Sequence, residues 1–266
     1  MAFELVRAEV GQALRSEVLD AYALGGGDIN EAYRVRLADG RQIFVKTNAA
    51  APPTMFAREA EGLVWLAEPG ALRVPDVLAV GERYLALELV SAGAPALDHD
   101  ERFGRGLAVL HRFGAGGFGW PRDNFIGSLP QDNRTEDDWP TFYARRRLEP
   151  QLRMAIDAGH ASASMKRGFR ALFSRLPELA GSDEPAARLH GDLWAGNHHT
   201  ASNGEPVLID PAVYGGHREI DLAMMRLFGG FSSRVFAAYG EAHPLAAGHE
   251  ERVALWQLYP LLVHVN

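Results

Sequence analysis

Between residues 5 and 22 apolar and charged positions alternate at roughly helical spacing, which predicts a helix. Gly25-Gly26-Gly27 ends that pattern, and from Ala32 to Leu37 the period changes to two, with Tyr33, Val35 and Leu37 on one face. This is a strand signature. Asp39-Gly40 reads as a two-residue hairpin turn with both residues at φ > 0, and Gln42 to Lys46 as the return strand. Pro52-Pro53 breaks the chain. Met55 to Glu68 then reads as a helix with Phe56, Leu63 and Leu66 near one face, ended by Pro69-Gly70. Val77 to Val80 and Tyr84 to Val90 read as two more strands.

The composition shifts at Ser91-Ala92-Gly93-Ala94-Pro95, a candidate hinge, and the chain beyond it is mostly helical. Phe103, Leu107 and Leu110 recur at i, i+4 and i+7. The segment 113–138, rich in Gly, Pro, Asn and Asp, reads as one long loop. Helices are expected near 139–156, 162–176, 219–239 and 250–264, with a short strand at Val207-Leu208-Ile209. The expected class is α+β: a β-rich lobe over residues 1–90 and a helical lobe over 91–266, with a cleft between them of the kind that favours ligands.

Composition narrows the chemistry. The 266 residues carry a formal charge of −7, so a nucleic-acid surface is not expected. There is no cysteine, which excludes a disulfide framework, Cys-ligated zinc and a thiol nucleophile. The N-terminus lacks the basic start and apolar run of a secretory signal. The longest apolar stretch, Ala254 to Val265, is broken by Gln257, Pro260 and His264 and is too short to span a bilayer. A cytoplasmic protein without a membrane partner is expected.

The most informative run is His190-Gly191-Asp192-Leu193-Trp194-Ala195-Gly196-Asn197, followed by Asp210 after an apolar strand. A carboxylate, a carboxamide five residues on and a second carboxylate at a strand end form a phosphoryl-transfer pattern. Asp192 is placed to accept a hydroxyl proton. Asn197 and Asp210 offer the oxygen ligands that Mg²⁺ requires. Singly, each would be an ordinary turn or capping residue. Lys46, at the end of the return strand, could reach nucleotide phosphates, with Glu59 or Glu61 of the next helix to hold it. Gly26-Gly27-Asp28-Ile29-Asn30 could cover phosphates with backbone N–H groups, although it does not match G-x-G-x-x-G and a plain turn is equally consistent. Backbone groups of Glu88, Leu89 and Val90 could bond an adenine edge where the chain leaves the sheet. His190, His198 and His199 with the nearby aspartates admit a metallohydrolase, a weaker pattern. Arg145-Arg146-Arg147 reads as a partly solvated helix face, from which one arginine could meet an anionic product, and His111 as a residue packed beside its helix.

These segments resemble the fructosamine kinase (ketosamine-3-kinase) family, a branch of the aminoglycoside phosphotransferase-like kinases. The resemblance runs over nearly the whole chain. It is most specific from His190 to Asn197, through Asp210-Pro211-Ala212-Val213-Tyr214 and His217-Arg218-Glu219-Ile220-Asp221-Leu222-Ala223-Met224, to Leu227-Phe228-Gly229-Gly230-Phe231. It implies a protein-kinase-like fold and phosphorylation, with ATP and Mg²⁺, of the 3-hydroxyl of a ketosamine, free or on a glycated protein. The phosphorylated adduct decomposes and frees the amine, which is deglycation repair. A monomer is expected. By motif position Asp192 is the base, Asn197 and Asp210 the metal ligands, Lys46 with Glu59 the phosphate clamp and Asp221 a brace of the catalytic loop. Trp194, Tyr214 and His217 are expected near the substrate. Kinases of aminoglycosides or choline-like compounds, and a silent nucleotide-binding module, are the alternatives. Some relatives carry a cysteine in the glycine-rich loop; its absence here predicts activity insensitive to thiol oxidation. Relatives also continue past the segment ending at Asn266, so a further C-terminal element is expected.

Overall fold

Tyr33, Val35 and Leu37 are buried while Arg34 and Arg36 between them are exposed, as the period of two requires. They form the second strand of an antiparallel sheet in the computed structural model, which describes residues 2–25 and 30–266. The strands are β1 (Val18–Leu24), β2 (Glu31–Leu37), β3 (Gln42–Thr47), β4 (Val77–Val80) and β5 (Tyr84–Glu88), in the order β1-β2-β3-β5-β4. Helix α1 (Arg7–Leu14) covers one face, where Val10 and Leu14 meet Tyr33, Val35, Ile43 and Val45. Helix α2 (Met55–Ala67) covers the other, where Phe56, Leu63 and Leu66 join Leu85 and Leu87 in the main core.

Two local expectations are corrected here. The helix expected over 5–22 stops at Leu14, because Arg15 takes a left-handed conformation (φ 53°) that turns the chain into β1. The Asp39-Gly40 turn is not a two-residue one. Only Gly40 has positive φ (90°), and the Leu37 N–H bonds Arg41 O across a three-residue loop.

The remaining chain begins with α3 (His99–Phe113). The expected long loop holds a hairpin, β6 (Asn124–Ile126) and β7 (Leu129–Gln131), turned at Gly127 (φ 58°). Next come α4 (Trp139–Phe142), a π-helical stretch (Tyr143–Leu148), α5 (Glu149–Asp157) and α6 (Ala163–Leu179). Four short strands follow, β8 (Ala187–Leu189), β9 (His198–Thr200), β10 (Pro206–Leu208) and β11 (Tyr214–Gly216). β10 meets the strand expected at Val207-Leu208-Ile209, and the other three are too short to show in a hydrophobic pattern. The helix expected over 219–239 is two, α7 (Glu219–Phe228) and α8 (Ser233–Ala242). Gly229 and Gly230, both at positive φ, break it, and the Ser232 hydroxyl accepts the Arg234 N–H to start the second. Helices α9 (His249–Trp256) and α10 (Leu258–Val265) complete the described chain. No helix is long and apolar enough to cross a membrane among the described residues.

The segment expected as a hinge lies along the β9–β10 hairpin. Gly93 donates to Thr200 O and Ala96 to Gly204 O. One core runs from α2 and β5 into α3, α7 and α9, so this face of the sheet shares its packing with the helices.

Candidate functional site

Two small sheets bring the distant motif residues together. β8 pairs with β11 and β9 with β10. The loop 190–197 therefore leaves one sheet and enters the other, and the segment 209–213 makes the reverse passage beside it. Ala212 donates to His190 O at 2.9 Å and Ile209 to Asn197 O at 3.1 Å, so the two segments are laced together. Gly191 (φ +83°) is required at this crossing, since a Cβ there would lie 2.0 Å from Ala212 O.

Asp192, Asn197 and Asp210 line a cleft of about 570 Å³ together with Lys46 and Glu59 from the sheet side. The Lys46 ammonium donates to Glu59 Oε1 at 2.8 Å and to Asp210 Oδ1 at 2.6 Å. Burial pulls the Lys46 pKa down, but the two carboxylates outweigh it and leave it raised, so the lysine is charged. Burial pushes Glu59 up, opposed by Lys46 and aided by Asp210. The choice between Glu59 and Glu61 is thereby made: Glu61 bonds Arg58 and Arg122 instead. Asp210 itself has a left-handed backbone (φ 54°), unusual for a residue other than glycine.

The Asn197 amide donates to Asp192 O at 2.8 Å and to Asp192 Oδ2 at 3.0 Å. Burial pushes the Asp192 carboxyl up to about 6, with the Asn197 bond holding it back and the Asp210 charge adding to the rise. Behind this loop, Asp221 accepts the N–H groups of His190 at 2.8 Å and Gly191 at 2.9 Å. Asp221 is in turn bonded by His111 Nε2, whose Nδ1 meets the Tyr239 hydroxyl at 2.9 Å. His111 thus links α3, α7 and α8, a role that helical packing alone did not suggest. His190 is buried with both ring nitrogens used, Nε2 to Ile209 O and Nδ1 from the Asp192 N–H. No group of three or more metal-binding His, Cys, Asp or Glu occurs among the described residues, and the metallohydrolase reading loses its ligands.

Several expected positions fall elsewhere. Tyr214 opens β11 and turns inward, fully buried, with the Arg147 guanidinium 3.8 Å from its ring centre. His217 is buried and stacks on Trp256 at 5.6 Å. Neither lines the cleft, so both are corrected to core residues. Trp194 does line it, beside Asp192, and is 42% exposed. Glu88, Leu89 and Val90 are not among the cleft residues: the Glu88 N–H is bonded to Asp76 O and its carboxylate to Arg73. Of the glycine-rich segment, Asn30 lines the cleft, whereas Gly26, Gly27, Asp28 and Ile29 lie outside the described residues. Arg147 is not solvated at all. It is fully buried and donates to Asp132 O and Asn133 Oδ1. The β6–β7 hairpin was also missed. Its Asn124 and Gln131 amides donate to Val213 O and Ala212 O, clamping the segment that follows Asp210.

A protein-family model described as fructosamine kinase matches residues 3–266. The chain belongs to the fructosamine kinase family. A Synechocystis protein assigned as a ketoamine kinase is 38% identical over 263 residues, covering 96% of this chain and 86% of its own. The chloroplastic protein-ribulosamine 3-kinase of Arabidopsis thaliana is also 38% identical, over 92% of this chain and 76% of its own. Among solved structures, one assigned as a fructosamine-3-kinase, from Thermobifida fusca, superposes with a TM-score of 0.91 at 44% identity, covering 98% of this chain and 91% of that one. The choline kinase of Streptococcus pneumoniae, at 18% identity and TM-score 0.64 over 98% of this chain and 89% of its own, shares the kinase-like fold alone.

Proposed function

We propose that this fructosamine kinase family member transfers the γ-phosphoryl group of ATP to the 3-hydroxyl of a ketosamine. The observation that carries the reading is the joining, in one cleft, of the Lys46–Glu59–Asp210 cluster with the Asp192–Asn197 pair. Residues 1–90 serve as the nucleotide lobe and 91–266 as the acceptor lobe. Lys46 binds the nucleotide phosphates, and Glu59 keeps its ammonium in place. Asp192 takes the proton of the acceptor hydroxyl as the oxygen bonds to the γ-phosphorus and the bond to the β-phosphate oxygen breaks, releasing ADP.

The donor set suits magnesium. Asn197 points its amide nitrogen at Asp192, and its oxygen receives no protein hydrogen bond among the described residues. Asp210 keeps one carboxylate oxygen free of Lys46. Such sparse oxygen ligation, completed by phosphates and water, is usual for this ion. Bound there, Mg²⁺ neutralises phosphate charge. Asn197 and Asp210 would hold it, and its charge would offset the Asp210 contribution to the raised Asp192 pKa, whose larger cause is burial.

A polycationic acceptor would call for extra acidic residues. Among the described residues, the carboxylates lining the cleft are Glu59, Asp192 and Asp210, all committed to the roles above. A panel of ribose-, erythrose- and glucose-derived ketosamines, with choline and an aminoglycoside, measured by ADP release, tests the reading. Turnover of a ketosamine in preference to the other two is expected. Failure of every ketosamine while either of the others turns over would overturn it.

A further inference from the structure

Arg58 borders the cleft on α2, one residue before Glu59. We infer that it is an anion-recognition residue, receiving a phosphate or carboxylate oxygen of the molecule that occupies the cleft. The inference deepens the kinase reading and rests on it for the identity of the ligands.

The charges in the cleft point to this residue. Its described lining holds two cations, Lys46 and Arg58, against three carboxylates, Glu59, Asp192 and Asp210. Lys46 is already bonded to two of those carboxylates. Arg58 is differently placed. Its Nη1 is gripped by both oxygens of Glu61, at 2.8 and 2.7 Å. Glu61 is itself shared with Arg122, from the segment before β6, at 3.0 Å. One carboxylate between two guanidiniums leaves this trio with a formal charge of +1, on a molecule whose total is −7. The Arg58 side chain is 19% exposed, and its Nε and Nη2 have no protein acceptor among the described residues. A guanidinium fixed on one side, with donors remaining on the other, is suited to an oxyanion. Glu61 acts as a positioning residue in this arrangement.

The anion has two possible sources, a nucleotide phosphate or a carboxylate on the acceptor, such as that of an amino-acid ketosamine. Calorimetric titration of the intact protein with ATP and with adenosine addresses the first. KM for the ketosamine of an amino acid, against that of its decarboxylated amine, addresses the second. For Arg58→Gln we expect a loss of about tenfold or more in one arm, with adenosine or the uncharged acceptor changed by less than about twofold. Arg58→Lys should recover part of the loss. A loss confined to ATP assigns the phosphate, and a loss confined to the acid acceptor assigns the carboxylate. Unchanged values in both arms, or an equal loss for ATP and adenosine, would overturn the inference. The titration needs no acceptor, so failure of ketosamine turnover would leave it a separate test.

Discussion

Asp192 carries two opposed pH effects. Burial and the neighbouring Asp210 charge raise its carboxyl to about 6 from an ordinary value of 3.8. A base must be ionised, so kcat/KM should fall as the pH drops below about 6. Stability runs the other way. The fold favours the protonated form, a contribution fully present below the unfolded pKa and lost as the pH rises through the folded one. Asp192→Asn should therefore melt higher than the parent at pH 8, with the gap closing towards pH 4, while its kcat falls by about 10²- to 10⁴-fold. Melting curves and rates across that range check both. The same variant melting lower at pH 8 would contradict the environment assigned to this carboxylate. Lys46, Asp192, Asn197 and Asp210 were legible in the sequence because their spacing is fixed by a short loop and two strand ends. Tyr214 and His217 stand in the same run, yet their side chains turn into the core. Nothing in a motif states which way a buried ring points.

At the scale of elements, the 190–197 loop is held from behind by α7. Asp221 satisfies two N–H groups that have no other acceptor among the described residues, and α3 and α8 hold Asp221 through His111 and Tyr239. Asp221→Asn puts an amide N–H₂ where one of those donors needs an acceptor. The expected cost is about 1–3 kcal/mol, seen as a melting temperature lower by several degrees, with kcat falling more than KM for ATP changes. An unchanged melting temperature would remove the brace. Long periodic elements were legible: α2, α3 and the strands around Lys46. What was lost are pieces that depend on distant partners. The π-helical stretch buries Arg147 among Phe142, Tyr214 and Tyr259, whereas three consecutive arginines look solvated in sequence. The β6–β7 hairpin carries Asn124 and Gln131 inward from a segment whose Gly and Pro content reads as loop.

At the scale of the molecule, β5 and α2 share one core with the helices beyond residue 91, a second core lies between α1 and the sheet, and the cleft lies where sheet and helices meet. Arg73 bonds Glu88 at the end of the sheet and Glu205 on the β9–β10 hairpin, which adds an ion-pair strap to the backbone bonds of the 91–96 segment. On a molecule of charge −7, the described cleft lining offers an anionic ligand two local cations, Lys46 and Arg58. Family membership, fold and cleft chemistry converge on phosphorylation of a sugar hydroxyl. The most direct measurement is ³¹P NMR of the protein with ATP, Mg²⁺ and a ribulosamine or fructosamine. The structure and sequence lead us to expect a new phosphomonoester on O3, formed in step with ADP and decaying as the free amine appears. ADP formed without any ketosamine phosphate, or phosphate carried on another hydroxyl, would contradict that function.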